Sequence, residues 1–269
     1  MHRRSVNGMT KAITSHDPID PARMVALAAT LGIDWAPDQP LPPFAHQIYF
    51  WDPRPLDGLG RDGHPAVGGT GGLVPDFGLP RRMWAGGRLE FRAPMMAGRP
   101  AEKISTLEST AEKQGRTGPL AFVTLRHEIH QDGRLCVIDS QDLVYRPEAA
   151  DSAGAAPRPA PQDADTRVEH RFSTVELFRY SALTMNGHRI HYDRDYARDV
   201  EGYAGLVVHG PLLAQHLMLL AGPGLTRFEF RGVSALIDSD PALFCRKGGD
   251  LWVAGPDGRL CMTARAEIG

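Results

Sequence analysis

The amino-acid sequence predicts an α+β fold made of two similar halves, and three observations lead to this expectation. A segment rich in Ala, Pro and Asp, residues 147–165, divides the 269-residue chain, because such a composition has too few apolar side chains to fold. In each part a helical pattern precedes four runs of alternating or β-branched residues. Asp132-Gly133 and Asp257-Gly258 mark a hairpin turn in each part, since Asp-Gly tolerates positive φ.

The first part opens with a helix that we place at Pro21–Leu31. Asp20 is suited to cap this helix, Pro21 fits its first position, and Gly32 is typical of a helix end. Residues 35–80 are crowded with Pro and Gly and should be mostly loop. Strands are then expected at 88–93, 101–113, 120–131 and 134–145.

The second part contains a short helix and then a strongly apolar one. Ser173 can cap the short helix, 175–181, with Glu176 completing a capping box. The other helix, Pro211–Ala221, is apolar nearly all round and must therefore be covered on most sides. The strands of this part are expected at 168–172, 226–236, 243–247, 250–255 and 260–268.

A curved antiparallel sheet that wraps a central helix covers such a helix, and this arrangement is the hot-dog fold. In the first part, Pro21–Leu31 is the expected counterpart of the apolar helix. We therefore predict a double hot-dog, with antiparallel sheets that each wrap a central helix and lie edge to edge. Its predicted boundaries are an N-terminal half at 1–146, a flexible linker at 147–165 and a C-terminal half at 166–269.

Composition excludes several kinds of partner. The formal net charge is -2 and no long basic run occurs, so a nucleic acid is not an expected partner. The first residues contain no apolar signal region, and His209 and Pro211 interrupt the apolar run at 205–225. We therefore expect a cytoplasmic protein without a membrane partner. The three cysteines form no CxxC pair, which argues against a zinc knuckle and a disulfide framework.

Polar side chains are densest shortly before the apolar helix, where Asn186, His188 and His191 fall within six residues. Two histidines at HxxH spacing can face one metal ion, but zinc needs three or four ligands, and neither cysteine nor an HExxH pattern accompanies them. We therefore expect no metal. An imidazole titrates near neutral pH, which favours acid–base work by His191. For His188, a purely structural histidine is the alternative.

The helix start His209-Gly210-Pro211 is the second candidate element. Gly210 lets a ligand come close to the backbone, and Pro211 suits the first turn. The exposed amides at this end, with the helix dipole behind them, would polarise a carbonyl oxygen. A helix start that merely needs Gly-Pro geometry is the alternative.

These residues resemble a known family. The segment is similar to the motif of the MaoC-like, R-specific enoyl-CoA hydratases (hydratase 2), which runs roughly GDxNPxH before an HG helix start. The likeness is closer to the branch that acts on mesaconyl-C4-CoA (3-methylfumaryl-CoA) and itaconyl-CoA. The first half also matches, through Leu79–Pro94, Lys113–Ile129 and Ser140–Arg146, so the resemblance covers most of the chain.

The resemblance implies a role for each matched residue. The family's catalytic histidine falls on His191, its aspartate on Asn186 and its asparagine on His188, and an amide at Gly210 would receive the thioester oxygen. Asparagine cannot accept a proton from water as a carboxylate can. His191 is therefore expected to carry the proton chemistry and Asn186 to hold the water. The first half has no counterpart of this motif, so one active site per chain is expected.

The activity implied is reversible hydration of an enoyl-CoA thioester with a branched C5 dicarboxylic acyl group. No cofactor is expected, because the thioester itself acidifies the α-carbon. Guanidinium groups would bind a second carboxylate or the CoA phosphates, although a solvated loop is the alternative for the arginine-rich stretch at 81–88. The candidate substrate-binding residues are His209, Arg189, Arg82, Trp84 and Arg88.

Two other functions stay open. Acyl-CoA thioesterases also use hot-dog folds, but they need a carboxylate or an activated water aimed at the carbonyl carbon, and Asp193 and Asp195 lie just past the site. A non-catalytic acyl-CoA-binding subunit is compatible with Asn186 in place of aspartate. Exposed sheet edges favour a homodimer.

Overall fold

The strands of the chain form one continuous antiparallel sheet. The computed structural model describes residues 11–66, 72–115, 118–147 and 157–269. Within these ranges the strands are β1 (Ala12–Asp17), β2 (Arg81–Phe91), β3 (Ala101–Gly115), β4 (Gly118–Gln131), β5 (Arg134–Arg146), β6 (Thr166–Arg171), β7 (Leu225–Gly232), β8 (Pro241–Lys247), β9 (Asp250–Ala254) and β10 (Leu260–Ile268). Their order across the sheet is β1-β3-β4-β5-β2-β7-β10-β9-β8-β6.

Five strands from the first half therefore meet five from the second. The join is the β2–β7 pair, in which Gly86–Glu90 run antiparallel to Arg227–Arg231. The predicted fold class, a double hot-dog with sheets edge to edge, is confirmed. The helices are α1 (Pro21–Leu31), α2 (Thr174–Leu183), α3 (Arg194–Asp199) and α4 (Gly210–Ala221), with single 3-10 turns at Ala45–Ile48, Leu56–Gly58 and Arg189–His191.

Helix α1 has the predicted ends. The Asp20 side chain accepts a hydrogen bond from the Ala22 amide at 2.9 Å, and Gly32 is left-handed with φ 66°, as its lack of a Cβ permits. Ser173 caps α2 through the Glu176 amide at 3.1 Å. No described helix has both the length and the apolar character needed to cross a membrane.

Three elements differ from the predictions. Strand β1 was missed because five of its six side chains are exposed or only partly buried, so no alternating apolar pattern marks it. Strand β2 begins at Arg81 rather than 88, so the arginine-rich stretch is a strand and not a solvated loop. The short helix α3, capped by the Asp193 side chain, lies in a segment with no apolar period.

Helix α4 is the central helix of the second half. It contacts β7, β8, β9 and β10, and also β2 from the first half. Its polar residue Gln215 is 1% exposed and donates to the Pro43 carbonyl at 2.6 Å, which satisfies the buried amide. The buried residues of this helix are Leu212, Leu213, Ala214, Gln215, Leu217, Met218 and Ala221.

The expectation that α1 is the counterpart of α4 was wrong. Helix α1 packs against α2, and the 3-10 turn Ala45–Ile48 lies over the first-half strands instead. His46 in this turn contacts Asp139 of β5 at 3.2 Å, and Phe44 just before it contacts Trp84 of β2. The first half therefore has a single turn where the second half has a helix.

The prediction of a flexible linker at 147–165 is not met by residues 157–165. The Ala160 side chain is buried, and its amide donates to the Gly258 carbonyl at 2.9 Å. The Leu260 amide donates to the Arg158 carbonyl at 2.7 Å. This stretch therefore packs on the second half, while the rest of the predicted linker, 148–156, falls outside the described residues.

Candidate active site

A cavity of about 1290 Å³ opens between the two halves. This is more than the few hundred Å³ that a drug-sized ligand needs. Both halves contribute to its wall. Of the residues predicted for the site, those that line it are Asn186, His188, His191, Gly210, Arg82 and Trp84.

His191 is held as a neutral base. Its Nδ1 donates to the Val207 carbonyl at 2.7 Å, so in the neutral ring Nε2 has the free lone pair. Burial lowers the pKa of His191 to about 4, even though the Val207 hydrogen bond raises it. The imidazole is therefore unprotonated at neutral pH, with its acceptor nitrogen available beside the cavity.

His209 lies behind His191 and not in the cavity wall. The two rings stack with centroids 3.7 Å apart and an interplanar angle of 17°. His209 is fully buried, and its Nε2 bonds the Ser181 hydroxyl at 2.8 Å. Burial lowers its pKa well below the ordinary value, with His191 adding to the effect. A substrate contact is therefore not supported for His209, which supports the His191 ring instead.

The side chain of Asn186 has a hydrogen-bond donor available to the cavity. Its side-chain Oδ1 accepts a hydrogen bond from the backbone amide of His188 at 3.0 Å. The backbone amide of Asn186 donates to the Ser181 carbonyl at 2.8 Å. Its Nδ2 has no hydrogen-bond partner among the described residues, so it can donate to a water or to a substrate hydroxyl.

His188 is packed against a loop of the first half. Its ring centroid lies 4.2 Å from that of His64 and 5.4 Å from that of His191. Burial, followed by the nearby His64, lowers the pKa of His188 to about 2. His188 is thus neutral, and it lies between two other imidazoles.

Asp62 and His64 are site residues that the sequence analysis missed, because they belong to the long stretch treated as loop. Asp62 accepts from the backbone amide of His64 at 3.0 Å and from its Nδ1 at 3.1 Å. Burial alone would raise the pKa of Asp62, but the bonds and charge of His64 lower it to about 2. The sequence feature that could have revealed them is Asp62-Gly63-His64, in which a carboxylate and an imidazole flank a glycine.

The loop is locked onto the histidine motif by backbone contacts. A Cβ added to Gly63 would lie 2.0 Å from the Gly187 carbonyl oxygen, and Gly63 has φ 84°, so only glycine fits there. The Arg189 amide also donates to the Asp62 carbonyl at 2.9 Å. Residues 62–64 are thus part of the same wall as the motif.

The start of α4 presents free amides to the cavity. His209 stands at its N-cap without a side-chain hydrogen bond, and a Cβ built on Gly210 meets nothing within 4 Å. The first amides of a helix have no intrahelical partner, and the helix dipole favours negative charge there. A thioester oxygen is therefore a suitable acceptor at Gly210.

Arg82 and Arg88 both lie on strand β2, six positions apart, but in different surroundings. Arg82 lines the cavity and makes no ion pair in the part of the chain that the structure describes, and its charge lowers the pKa of both His64 and His188. Arg88 pairs with Asp142 at 2.5 Å and borders a separate small groove. Arg82 is therefore free to meet an anion in the cavity, and the predicted substrate contact of Arg88 is not supported.

Arg189 also does not reach the cavity. Its Nε and Nη2 both donate to Asp193, at 3.0 and 2.7 Å, and its guanidinium lies 4.1 Å from the Tyr196 ring centroid. Its predicted role as a carboxylate receptor is therefore not supported. Asp193, in turn, is occupied by this pair and is not aimed at a thioester, which removes one support for the thioesterase alternative.

Among the described residues, two groups of side chains have ligand atoms close enough together to hold a metal ion. One is Asp62, His64 and His188, and the other, which does not line the cavity, is His170, Glu176 and His216. In the first group the Asp62 carboxylate is already bonded to His64.

A double hot-dog fold with a neutral imidazole stacked on the N-cap residue of α4 fits the class of acyl-thioester hydratases and dehydratases. Residues 44–238 match the family model described as hydroxyacyl-thioester dehydratase type 2, and the chain belongs to this family. It is 44% identical to the mesaconyl-C(4)-CoA hydratase of Chloroflexus aurantiacus over 267 residues, covering 94% of each chain. The enzyme class is therefore a carbon–oxygen lyase.

Solved structures support the fold. A MaoC-like dehydratase from Phytophthora capsici superposes with a TM-score of 0.69 at 11% identity, covering 97% of each chain. A Mycobacterium tuberculosis protein described as having a double hotdog fold gives a TM-score of 0.58 at 13% identity, over 96% of this chain and 95% of that one. Sequence identities this low bear on the fold alone.

Proposed function

We propose that this protein reversibly hydrates mesaconyl-C4-CoA or a closely similar branched C5 dicarboxylic enoyl-CoA, with one active site per chain. The observation that carries the proposal is the neutral His191 imidazole, fixed by Val207 beside the cavity and near the open start of α4. The substrate class is supported by the 44% identical relative named for that reaction.

The proposed chemistry needs a carbonyl receptor and a base. In the dehydration direction, the Gly210 amide binds the thioester oxygen and His191 Nε2 takes a proton from the α-carbon. The electron pair of that C–H bond moves into the thioester to give an enolate, which forms the C=C bond as the C–O bond at the β-carbon breaks. The leaving hydroxide takes a proton from the protonated His191 or from a second acid of the site and departs as water, while Asn186 Nδ2 orients it.

Arg82 supports a dicarboxylic substrate. In a 3-methylfumaryl thioester the second carboxylate is attached to the β-carbon, the atom that gains or loses water. A receptor for it must therefore lie beside the acid–base groups. Arg82 lines the cavity and acts electrostatically on His64 and His188, and a guanidinium can bind a carboxylate through two hydrogen bonds.

The test is hydration of mesaconyl-C4-CoA, itaconyl-CoA and crotonyl-CoA by purified protein and by His191→Asn, followed as loss of enoyl-thioester absorbance. We expect turnover of the dicarboxylic esters and its loss in the variant. Turnover of crotonyl-CoA alone would remove the dicarboxylate assignment. Release of free CoA without hydration would favour a thioesterase. The absence of both hydration and CoA release would favour a binding subunit.

We also propose a cytoplasmic homodimer. Among the described strands, β1 and β6 are the outer ones and each has one neighbour, which leaves pairing groups available to a second copy. Cys136, Cys245 and Cys261 are buried and unpaired, as is usual in a reducing compartment. Light scattering coupled to size exclusion would report a mass near twice 29.4 kDa, whereas a single-chain mass would remove the dimer.

A further inference from the structure

Asn186 leaves the histidine motif without a carboxylate, and the first half supplies one close by. Reversible hydration moves two protons, one at the α-carbon and one at the water oxygen. His191 accounts for one of them. The side chain of Asn186 cannot take or give the other at neutral pH, so a second acid–base group is needed or His191 must serve twice.

Asp62 and His64 have the geometry of an acid–base dyad. The carboxylate binds the imidazole at Nδ1, 3.1 Å away, which assigns the hydrogen to Nδ1 and leaves Nε2 as the reactive nitrogen. A carboxylate in this position also stabilises the imidazolium that forms when Nε2 gains a proton. The two side chains are 19% and 17% exposed, and both residues line the cavity.

The dyad is fixed in place against the motif. The ring centroid of His64 lies 4.2 Å from that of His188. The ring centroid of His188 lies 5.4 Å from that of His191. The close approach of Gly63 to Gly187, and the Arg189 amide on the Asp62 carbonyl, hold the two backbones together. Three imidazoles thus follow one another along the cavity wall, with the dyad at one end and His191 at the other.

We propose that His64 is the second acid–base residue of the site, with Asp62 as its positioning residue, and that it exchanges the proton of the water oxygen while His191 exchanges the proton of the α-carbon. This assignment rests on the proposed hydratase function. It places one catalytic group on each half of the chain, so that the site is complete only when the halves are joined.

The steps balance as follows in the hydration direction. His64 Nε2 takes a proton from water as the water oxygen bonds to the β-carbon, and the C=C electron pair moves into the thioester enolate held at Gly210. The proton gained by His64 passes through His188 or solvent to the neutral His191. His191 then delivers this proton to the enolate carbon. One water has been added and the starting state is restored.

The experiment separates the two proton transfers. The hydroxyacyl-CoA product is incubated in D2O with the wild type, His64→Asn, Asp62→Asn and His191→Asn, and both α-hydrogen exchange and elimination of water are measured. His16→Asn is the matched control, because His16 lies on β1 with its side chain 73% exposed. Circular dichroism and the Kd of the CoA ester report whether each variant is folded and binds.

We expect His64→Asn and Asp62→Asn to lose elimination by about 10²-fold or more, the usual contribution of a general acid or base, while α-hydrogen exchange persists. His191→Asn should lose both. Added imidazole should restore part of the elimination in His64→Ala, which a structural role of the ring would not allow.

Three outcomes would overturn the assignment. Full elimination by folded His64→Asn would show that His191 serves both steps. Equal loss of exchange and elimination in His64→Asn would make the loop structural. Loss of activity with a chelator and its recovery with Zn²⁺ would make Asp62, His64 and His188 metal ligands. Hydratase activity in His191→Asn would instead contradict the proposed function itself, and not only the role of His64 and Asp62.

Discussion

Each half contributes five strands to the common sheet, but the two halves differ in what covers those strands. The second half buries the twelve-residue helix α4, whereas the first has only the 3-10 turn Ala45–Ile48. Pro42 and Pro43 precede this turn and Pro53 follows it, so a long helix cannot form there. This difference explains why the site is asymmetric. Of the α-helices in the described residues, α4 alone has no side-chain cap at its N-terminus. The residues after the turn help to line the cavity.

One buried histidine from each half, His46 and His191, shows the same asymmetry. His46, in the turn, is buried with its Nε2 on Asp139, which also accepts from Gln47 and Gln141. Its ring does not line the cavity. In His191, Nδ1 bonds the Val207 carbonyl, and Nε2 has no such partner among the described residues. An imidazole becomes a candidate catalyst when one nitrogen is fixed by the protein and the other faces the cavity.

The largest expected effect separates these two histidines. His191→Asn should lower the hydration rate by 10³-fold or more, because the base is removed, and it should leave the Kd of the CoA ester nearly unchanged. His46→Asn should reduce the free energy of unfolding by about 3 kcal/mol, since a buried carboxylate loses a partner, yet keep the kcat of the folded enzyme. Steady-state kinetics and urea unfolding measure both, and a reversed pattern would contradict the comparison.

The junction between the halves is tested at Gly63. Gly63→Ala places a Cβ 2.0 Å from the Gly187 carbonyl oxygen, so the loop must move away from the motif. We expect about 10²-fold loss of hydration together with a lower Tm. Gly32→Ala is the matched control: Gly32 also has positive φ, but nothing lies within 4 Å of its Cβ position. It should cost about 1 kcal/mol of stability from backbone strain and no activity. Equal activity of the two variants would separate the loop from the site.

Stability should fall as the pH is lowered from 7 to 5. The pKa of His191 is about 4 in the folded protein, below the ordinary 6.5. The unfolded chain therefore binds a proton in this window and the folded chain does not. The stabilisation is fully present above pH 6.5 and is lost as the pH falls towards 4, by about 2 kcal/mol at pH 5 for this residue. Urea unfolding at both pH values should show the loss, and His191→Asn should reduce it. A pH-independent midpoint would contradict the buried neutral state.

The smallest effect concerns the two arginines of β2. Arg82→Gln should raise the KM for a dicarboxylic ester about tenfold, equivalent to about 1.4 kcal/mol, and leave the KM for crotonyl-CoA unchanged. Arg88→Gln, which removes the pair with Asp142 outside the cavity, should change neither. A parallel rise for both esters would assign Arg82 to the CoA portion.

Much of the fold and part of the site could be predicted from local sequence. The capped helix at Pro21–Leu31, the apolar helix α4 and most strands follow from patterns that repeat every few residues. Asn186, His188 and His191 are neighbours in the chain, so a local motif was enough to bring them together. The edge strand β1 and the role of the turn at Ala45–Ile48 had no such pattern.

The secondary structure of the core and the second-half motif can thus be predicted from the chain alone, because both depend on contacts within a few residues. The docking of the loop that contains Asp62 and His64 on His188, more than a hundred positions later, depends on the three-dimensional fold. The same fold pairs Arg189 with Asp193 and leaves Arg82 free. Contacts between distant segments depend on how the two sheets join and on which groups compete for each charge, and no periodicity in the chain encodes either.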